Sequence, residues 1–379
     1  MIQHYIDMLA DRERVETIQR AIAATVRPGD IVVDVGTGTG AFALFAAKAG
    51  AARVYAVERG EVAELAQEMM RENGVDDVVR VVRADAGRWV PPEPVDVVIF
   101  EDFADVGVGP EIARLSRHWT KHLAPGGRFV PESVSVHVAA VEHESEHLRG
   151  FPWPNSRAYG LDVTPMRALA DNARTNCHIL PSHVLSDTRV VVTHRLGEPL
   201  DANVDYAVEL RINRRGRLHG LAVFFELDLG SGIRFSNAPA PVPTIWQCAF
   251  LHTRDAAPVD ASDVVRLEIG HFPWGPETWH WRWEMDVRSE QGAPRHHERR
   301  SSLFSETLSI AGLRAMSLDQ PAPLGSELDK LRECANLIDG ERSYREVAAL
   351  LIERLPEDFD GLDDAATYVR QILGGRSTP

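Results

Sequence analysis

Apolar positions near the start of the chain fall at helical spacing: Ile6, Leu9, Val15, Ile18 and Ile22, with charged residues between them. Pro28-Gly29-Asp30 ends that pattern, because proline lacks the helix donor and glycine favours the turn. The spacing predicts helix over residues 1–30. Residues 31–130 then alternate in character. Ile31–Val35, Arg53–Glu58, Val78–Arg83 and Val95–Phe100 are short apolar runs that predict strands. Ala41–Ala49, Glu61–Asn73 and Glu111–Leu123 carry helical periodicity. Nearly continuous apolar strands alternating with helices predict a parallel sheet covered on both faces.

After Pro131 the period drops to two. Ser133–Val141, Thr188–Val192, Tyr206–Ile212, Gly220–Leu227 and Trp279–Val287 are rich in β-branched and aromatic residues and are separated by turn residues. They predict an antiparallel β-region to about Leu313, interrupted by a helix-like island at Thr164–Asn176. The end of the chain turns helical again, with Ser326–Ile338, Tyr344–Leu355 and Asp363–Leu373 separated by Asp339-Gly340 and the acidic stretch Glu357–Gly361.

The 379 residues suffice for two or three domains and at least one large core. Lys+Arg 41 against Asp+Glu 56 gives 41 − 56 = −15, which argues against a general phosphate-backbone binder and against docking on anionic membrane. The three cysteines, Cys177, Cys248 and Cys334, are far apart and form no CxxC, so neither a disulfide framework nor a metal cluster is expected. No apolar run is long enough to span a bilayer and residues 1–15 lack a signal-peptide core, so the expected location is cytoplasmic.

Candidate chemistry begins at Val33-Asp34-Val35-Gly36-Thr37-Gly38-Thr39-Gly40, where the first strand turns into a helix. Glycines there let a ligand approach the turning backbone. Glu58 ends the second strand 18 residues after Gly40, where a carboxylate can accept from both ribose hydroxyls of an adenosine cofactor. A dinucleotide loop reads GxGxxG. This one reads GxGxG with Asp34 before it, which suits S-adenosylmethionine, a cofactor without phosphate whose amino group wants acceptors and whose carboxylate wants donors. Asp85, after the third strand, lies where such folds often read the adenine amino group; Glu58 taken alone reads as readily as a solvated charge.

Val33–Glu58 resembles the cofactor motif of the protein arginine N-methyltransferase family along its whole length. Met8-Leu9-Ala10-Asp11-Arg12-Glu13-Arg14 is similar to that family's N-terminal MLxDxxR helix, and the resemblance implies that Arg14 holds the cofactor carboxylate with Met8 nearby. Asp96–Glu101 resembles the strand entering the family's double-glutamate loop, and Leu123-Ala124-Pro125-Gly126-Gly127 its LxPGG. Tyr159-Gly160-Leu161-Asp162 resembles the YGFD that opens the dimerisation arm, and Thr244-Ile245-Trp246-Gln247 the THW substrate loop. The resemblance spans about residues 4–315. It implies a Rossmann-like class I methyltransferase domain at 1–130, an antiparallel β-barrel-like domain at 131–318 with an arm at about 159–180, and an added helical region at 324–379. It further implies a homodimer that methylates a guanidine of a protein, peptide or small molecule.

By this resemblance the cofactor site comprises Met8, Arg14, Asp34, Gly36, Thr37, Gly38, Gly40, Glu58, Asp85, Ala86 and Glu101, and the catalytic acids are Glu101 and Glu111. Two departures stand out. The family's glutamates are nine residues apart, but nine after Glu101 is Pro110 and the next acid is Glu111, with Asp102 and Asp105 as further candidates. The THW histidine is Ile245; a second placement at Thr278-Trp279-His280-Trp281 restores a histidine but not its surroundings. Paired carboxylates suit a guanidinium because they grip its planar fork and can localise its charge away from the attacking nitrogen. Other outcomes fit the same sequence: a shift to another nucleophile in natural-product biosynthesis, or a silent cofactor-binding partner protein.

Trp274, Trp279, Trp281 and Trp283 read as one face of a strand, and His296-His297 beside Arg299-Arg300 as a solvated turn. Leu337–Val347 is faintly similar to the helical half of PqqD-like peptide-recognition domains, but the strands that precede such a domain are not evident, which favours a helical appendage packed on the barrel or at a dimer interface.

Overall fold

In the computed structural model, residues 2–101, 103, 106–153, 155–273, 278–305 and 326–373 are described. Asp102, Asp105 and Trp274 lie outside them. Contacts divide the chain into two compact units, Met1–Thr307 and Leu308–Pro379.

The first unit opens with α1 (Ile2–Ala10) and α2 (Arg12–Thr25), two helices where the periodicity predicts one. Asp11 makes the break, because its carboxylate accepts the Arg14 N–H and caps α2. There follow β1 (Ile31–Val35), α3 (Ala41–Lys48), β2 (Arg53–Glu58), α4 (Val62–Glu72), β3 (Val79–Arg83), β4 (Val95–Phe100), α5 (Pro110–Thr120) and β5 (Leu123–Val130). The expected helix to Leu123 stops at Thr120, and the chain from Leu123 joins the sheet beside β4. The sheet is parallel, in the order β3-β2-β1-β4-β5. Val32, Val33, Val97, Val98 and Ile99 are fully buried in it. Strand order reverses on either side of β1, so a crevice opens at the carboxyl ends of β1 and β4.

The chain continues through β6 (Ser133–Val141), α6 (Glu144–Gly150), the short pair β7 (Arg157–Ala158) and β8 (Leu161–Asp162), α7 (Thr164–Ala170) and β9 (Arg174–Cys177). Then come β10 (Arg189–Arg195), β11 (Val204–Arg211), β12 (Gly216–Asp228), β13 (Arg234–Ser236), β14 (Cys248–Val259), β15 (Val264–Pro273), β16 (Trp279–Arg288) and β17 (Pro294–Ser301). The island at 164–176 is helical only to Ala170; its end is strand, because Arg174–Cys177 pairs with Leu251–Cys248. One antiparallel sheet runs β10-β6-β12-β14-β9, with β13 on β12, and another runs β11-β15-β16-β17. The expected Rossmann-like domain followed by an antiparallel barrel-like domain is found; among the described residues the barrel is not closed, and its strands form two ladders. Trp281 and Trp283 are buried and Trp279 stacks on His271, as expected of a strand face. His296 and His297 are strand residues opposite Val287 and Asp286, not a turn.

In the second unit, helices Ser326–Leu337, Tyr344–Arg354 and Leu362–Leu373 share a core of Cys334, Leu337, Val347, Ala348, Leu351, Ala365 and Val369. Ser343 and Glu346 cap the middle helix reciprocally.

Candidate functional site

The loop after β1 needs its glycines for different reasons. Gly36 and Gly38 have φ of +71° and +54°, a region that disfavours side chains. A Cβ on Gly38 would also press on the Tyr5 ring at 3.1 Å. The N–H groups of Gly36 and Thr37 donate to Val57 O, which ties the loop to β2. Gly40, φ +88°, begins α3; a Cβ there would meet Met70 at 2.6 Å, so this glycine packs helices rather than lining a cavity.

Asp34 is buried beneath the loop. Its Oδ2 accepts the Thr37 hydroxyl at 2.5 Å and the Ala43 N–H at 3.0 Å. Burial pushes its carboxyl up to about 6, helped by the charge of Glu58 and opposed by those two hydrogen bonds. Glu58 holds two backbone donors, Gly38 N–H at 3.1 Å and Gly60 N–H at 2.7 Å.

A cavity of about 330 Å³ opens over this loop, within the range of small-ligand sites. Met8, Arg14, Asp34, Gly36, Thr37, Gly38, Glu58, Asp85, Ala86, Glu101 and Glu111 all line it. Gly40, Thr244, Ile245 and Trp246 do not. At the crevice between β1 and β4, Arg14 is 2% exposed. Its Nε donates to Glu101 Oε1 at 2.6 Å, with Nη2 2.5 Å from the same oxygen, and its Nη1 donates to Met8 O at 2.8 Å. Its guanidinium lies 5.5 Å from the Phe42 ring centroid and 5.0 Å from that of Trp246.

Glu111 stands on the first turn of α5 and accepts from Arg114 Nη2 at 3.0 Å. Arg114 Nη1 also donates to Asp85 Oδ1 at 3.3 Å. Burial pushes the Asp85 carboxyl up, but the Gly87 N–H and the Arg114 guanidinium outweigh it and hold it below the usual carboxylate range. Glu101 and Glu111 therefore border one cavity although their spacing departs from nine residues.

The loop at Thr244–Trp246 reaches the site indirectly. Ile245 N–H donates to Asp11 Oδ2 at 2.8 Å, and Trp246 packs on Phe225, Phe235 and the Arg14 guanidinium. The alternative placement fails, since His280 is buried in β16. Tyr5, Phe42 and Arg114 also line the cavity, and Asp11 ties down the loop at Ile245; sequence reasoning gave none of the four a place there. Asp11 stood inside the MLxDxxR match; Arg114 carried no motif and becomes visible only when α5 is set beside Asp85.

The family model of the arginine methyltransferase oligomerization subdomain matches residues 132–283, and that of the ribosomal protein L11 methyltransferase (PrmA) matches residues 16–134. An arginine N(omega)-methyltransferase of Streptomyces achromogenes subsp. streptozoticus is 29% identical over 272 residues, covering 69% of this chain and 74% of that protein. Protein arginine N-methyltransferase 1.1 of Arabidopsis thaliana is 27% identical over 276 residues, covering 68% of each. The solved PRMT1 enzyme-prozyme heterotetrameric complex of Trypanosoma brucei with AdoHcy superposes with a TM-score of 0.72 at 20% identity, over 78% of this chain and 97% of that one. That likeness concerns the fold.

Proposed function

We propose that the chain is a protein arginine methyltransferase, and that its cavity joins S-adenosylmethionine to an arginine guanidine and transfers a methyl group. The observation that carries this reading is the buried Arg14–Glu101 pair at the crevice, in one cavity with Glu58 and Asp85.

The residues fit the cofactor by their chemistry. Glu58 offers acceptors to ribose hydroxyls, Asp85 an acceptor to an adenine amino group, and Arg14 donors to a carboxylate. At Gly36 and Gly38, both at positive φ, the loop presents bare backbone to the cavity. When bound, S-adenosylmethionine supplies a methyl group on an electrophilic sulfonium.

The chain's own task is alignment, which replaces much of the entropy cost of a bimolecular step. Arg14 fixes the Glu101 carboxylate through Oε1. Glu101 then orients the guanidinium, favours positive charge away from the attacking nitrogen, and accepts the proton released on transfer. Glu111 provides the second carboxylate. The Trp246 and Phe42 rings both lie against the Arg14 guanidinium, which is 2% exposed.

The assembly is proposed to be a homodimer. The matched oligomerization subdomain contains the arm segment, where Tyr159 is 98% exposed, with Leu161 and Met166 also exposed. Among the described residues no helix is long and apolar enough to cross a membrane, and a cytoplasmic location is proposed.

The acceptor is tested with purified enzyme, S-adenosylmethionine and two acceptors, free L-arginine and an arginine-containing peptide. Mass spectrometry is expected to find S-adenosylhomocysteine and a methylated guanidine in equal amounts with at least one of them. Cofactor binding without turnover on either of these or on a total protein extract would support a silent partner protein instead.

A further inference from the structure

Arg114 joins two carboxylates that line the cavity, Asp85 and Glu111. It stands one turn beyond Glu111 on α5, and its side chain reaches back across the cavity wall to the segment after β3. One guanidinium nitrogen donates to Asp85 Oδ1 at 3.3 Å and another to Glu111 Oε1 at 3.0 Å. The space for this reach depends on Gly87, because a Cβ there would overlap the Arg114 guanidinium. The Gly87 N–H donates to the same Asp85 oxygen at 2.7 Å, which fixes that carboxylate on its loop. A planar fork with donors on several nitrogens can hold two carboxylates at once; a lysine ammonium on a flexible stem has no such geometry.

On the reading that Asp85 faces the adenine amino group and Glu111 faces the acceptor, we propose that Arg114 is a positioning residue that couples occupancy of the adenine end to the charge and placement of Glu111. The two bonds are unequal. The Asp85 bond is the longer and yields first to a competing donor. An amino group arriving at Asp85 takes over part of that carboxylate, and Arg114 is left to Glu111. The acceptor-side carboxylate is then held by a single partner. The coupling is reciprocal, as any linkage between binding free energies must be. Neutralising Glu111 returns the whole charge of Arg114 to Asp85, where it competes with the adenine amino group.

Titration calorimetry with S-adenosylhomocysteine reads this coupling without an acceptor. The proteins are the wild type, Glu111→Gln, Arg114→Gln and the double variant. Both side chains are roughly half exposed, at 49% and 43%, so the fold tolerates the changes, and circular dichroism checks it. Glu111→Gln is expected to weaken binding about threefold or more when Arg114 is present. In the Arg114→Gln background the same change is expected to have no effect. Unchanged affinity in Glu111→Gln, or an equal shift in both backgrounds, overturns the coupling while leaving the cofactor reading intact. A wild-type chain that fails to bind S-adenosylhomocysteine overturns the cofactor reading, and the coupling falls with it.

Discussion

Asp34, the penultimate residue of β1, is 1% exposed, with Thr37 and Ala43 on one of its oxygens. Those two donors do not fully compensate the loss of water, and its carboxyl rises from 3.8 to about 6. The folded chain therefore binds a proton at Asp34 over a range where the unfolded chain has released it. Stability from this group is highest below the unfolded value and falls as pH rises towards the folded value of about 6. The loss is on the order of 3 kcal/mol once the group is fully ionised. Asp34→Asn removes that titration while keeping an oxygen for the Ala43 N–H. Urea midpoints between pH 4 and 7 are expected to show the variant gaining on the wild type as pH rises; a constant difference across that range contradicts the account. The same scale shows why Arg14 and Glu101 belong together. A buried guanidinium without its carboxylate is strongly destabilising, so the pair is positioned by folding.

Elements set where those residues meet, and here sequence and structure diverge most clearly. The strands of the parallel sheet were legible because their apolar runs are continuous and bounded by glycine or charge: Ile31–Val35, Arg53–Glu58 and Val95–Phe100 appear with the predicted ends. The break at Asp11 was not, because residues 6–22 keep a helical period straight through it and only the side-chain cap interrupts the backbone. The strand Arg174–Cys177 was hidden for a different reason. Its pairing with Leu251–Cys248 is remote in sequence, and tertiary pairing overrides local pattern. The placement of Glu58, Asp85, Arg14 and Glu101 around one cavity was readable because each ends or follows a predicted strand or stands on a predicted helix. Arg114 was not, since its partners come from two other segments. The arm makes a further prediction. Leu161 and Met166 are 65% and 55% exposed on the segment from β8 to α7. Charging both, as Leu161→Glu with Met166→Glu, is expected to convert a dimer to a monomer by light scattering at low micromolar protein. A wild-type chain that is already monomeric there contradicts the arm's role.

Across the whole molecule, the two compact units carry separate cores, and the cofactor cavity lies within Met1–Thr307. In the proposed reaction this cavity moves a methyl group to a guanidine held by Glu101. Glu101→Gln keeps the side chain's shape and an acceptor oxygen for Arg14 but removes the charge that holds and deprotonates the acceptor. The most direct measurement compares steady-state turnover and S-adenosylhomocysteine affinity of the wild type and Glu101→Gln on the acceptor identified by mass spectrometry. Turnover is expected to fall by at least about a hundredfold, while S-adenosylhomocysteine still binds and circular dichroism reports a folded chain. Wild-type turnover in a folded Glu101→Gln enzyme would contradict the proposed reaction.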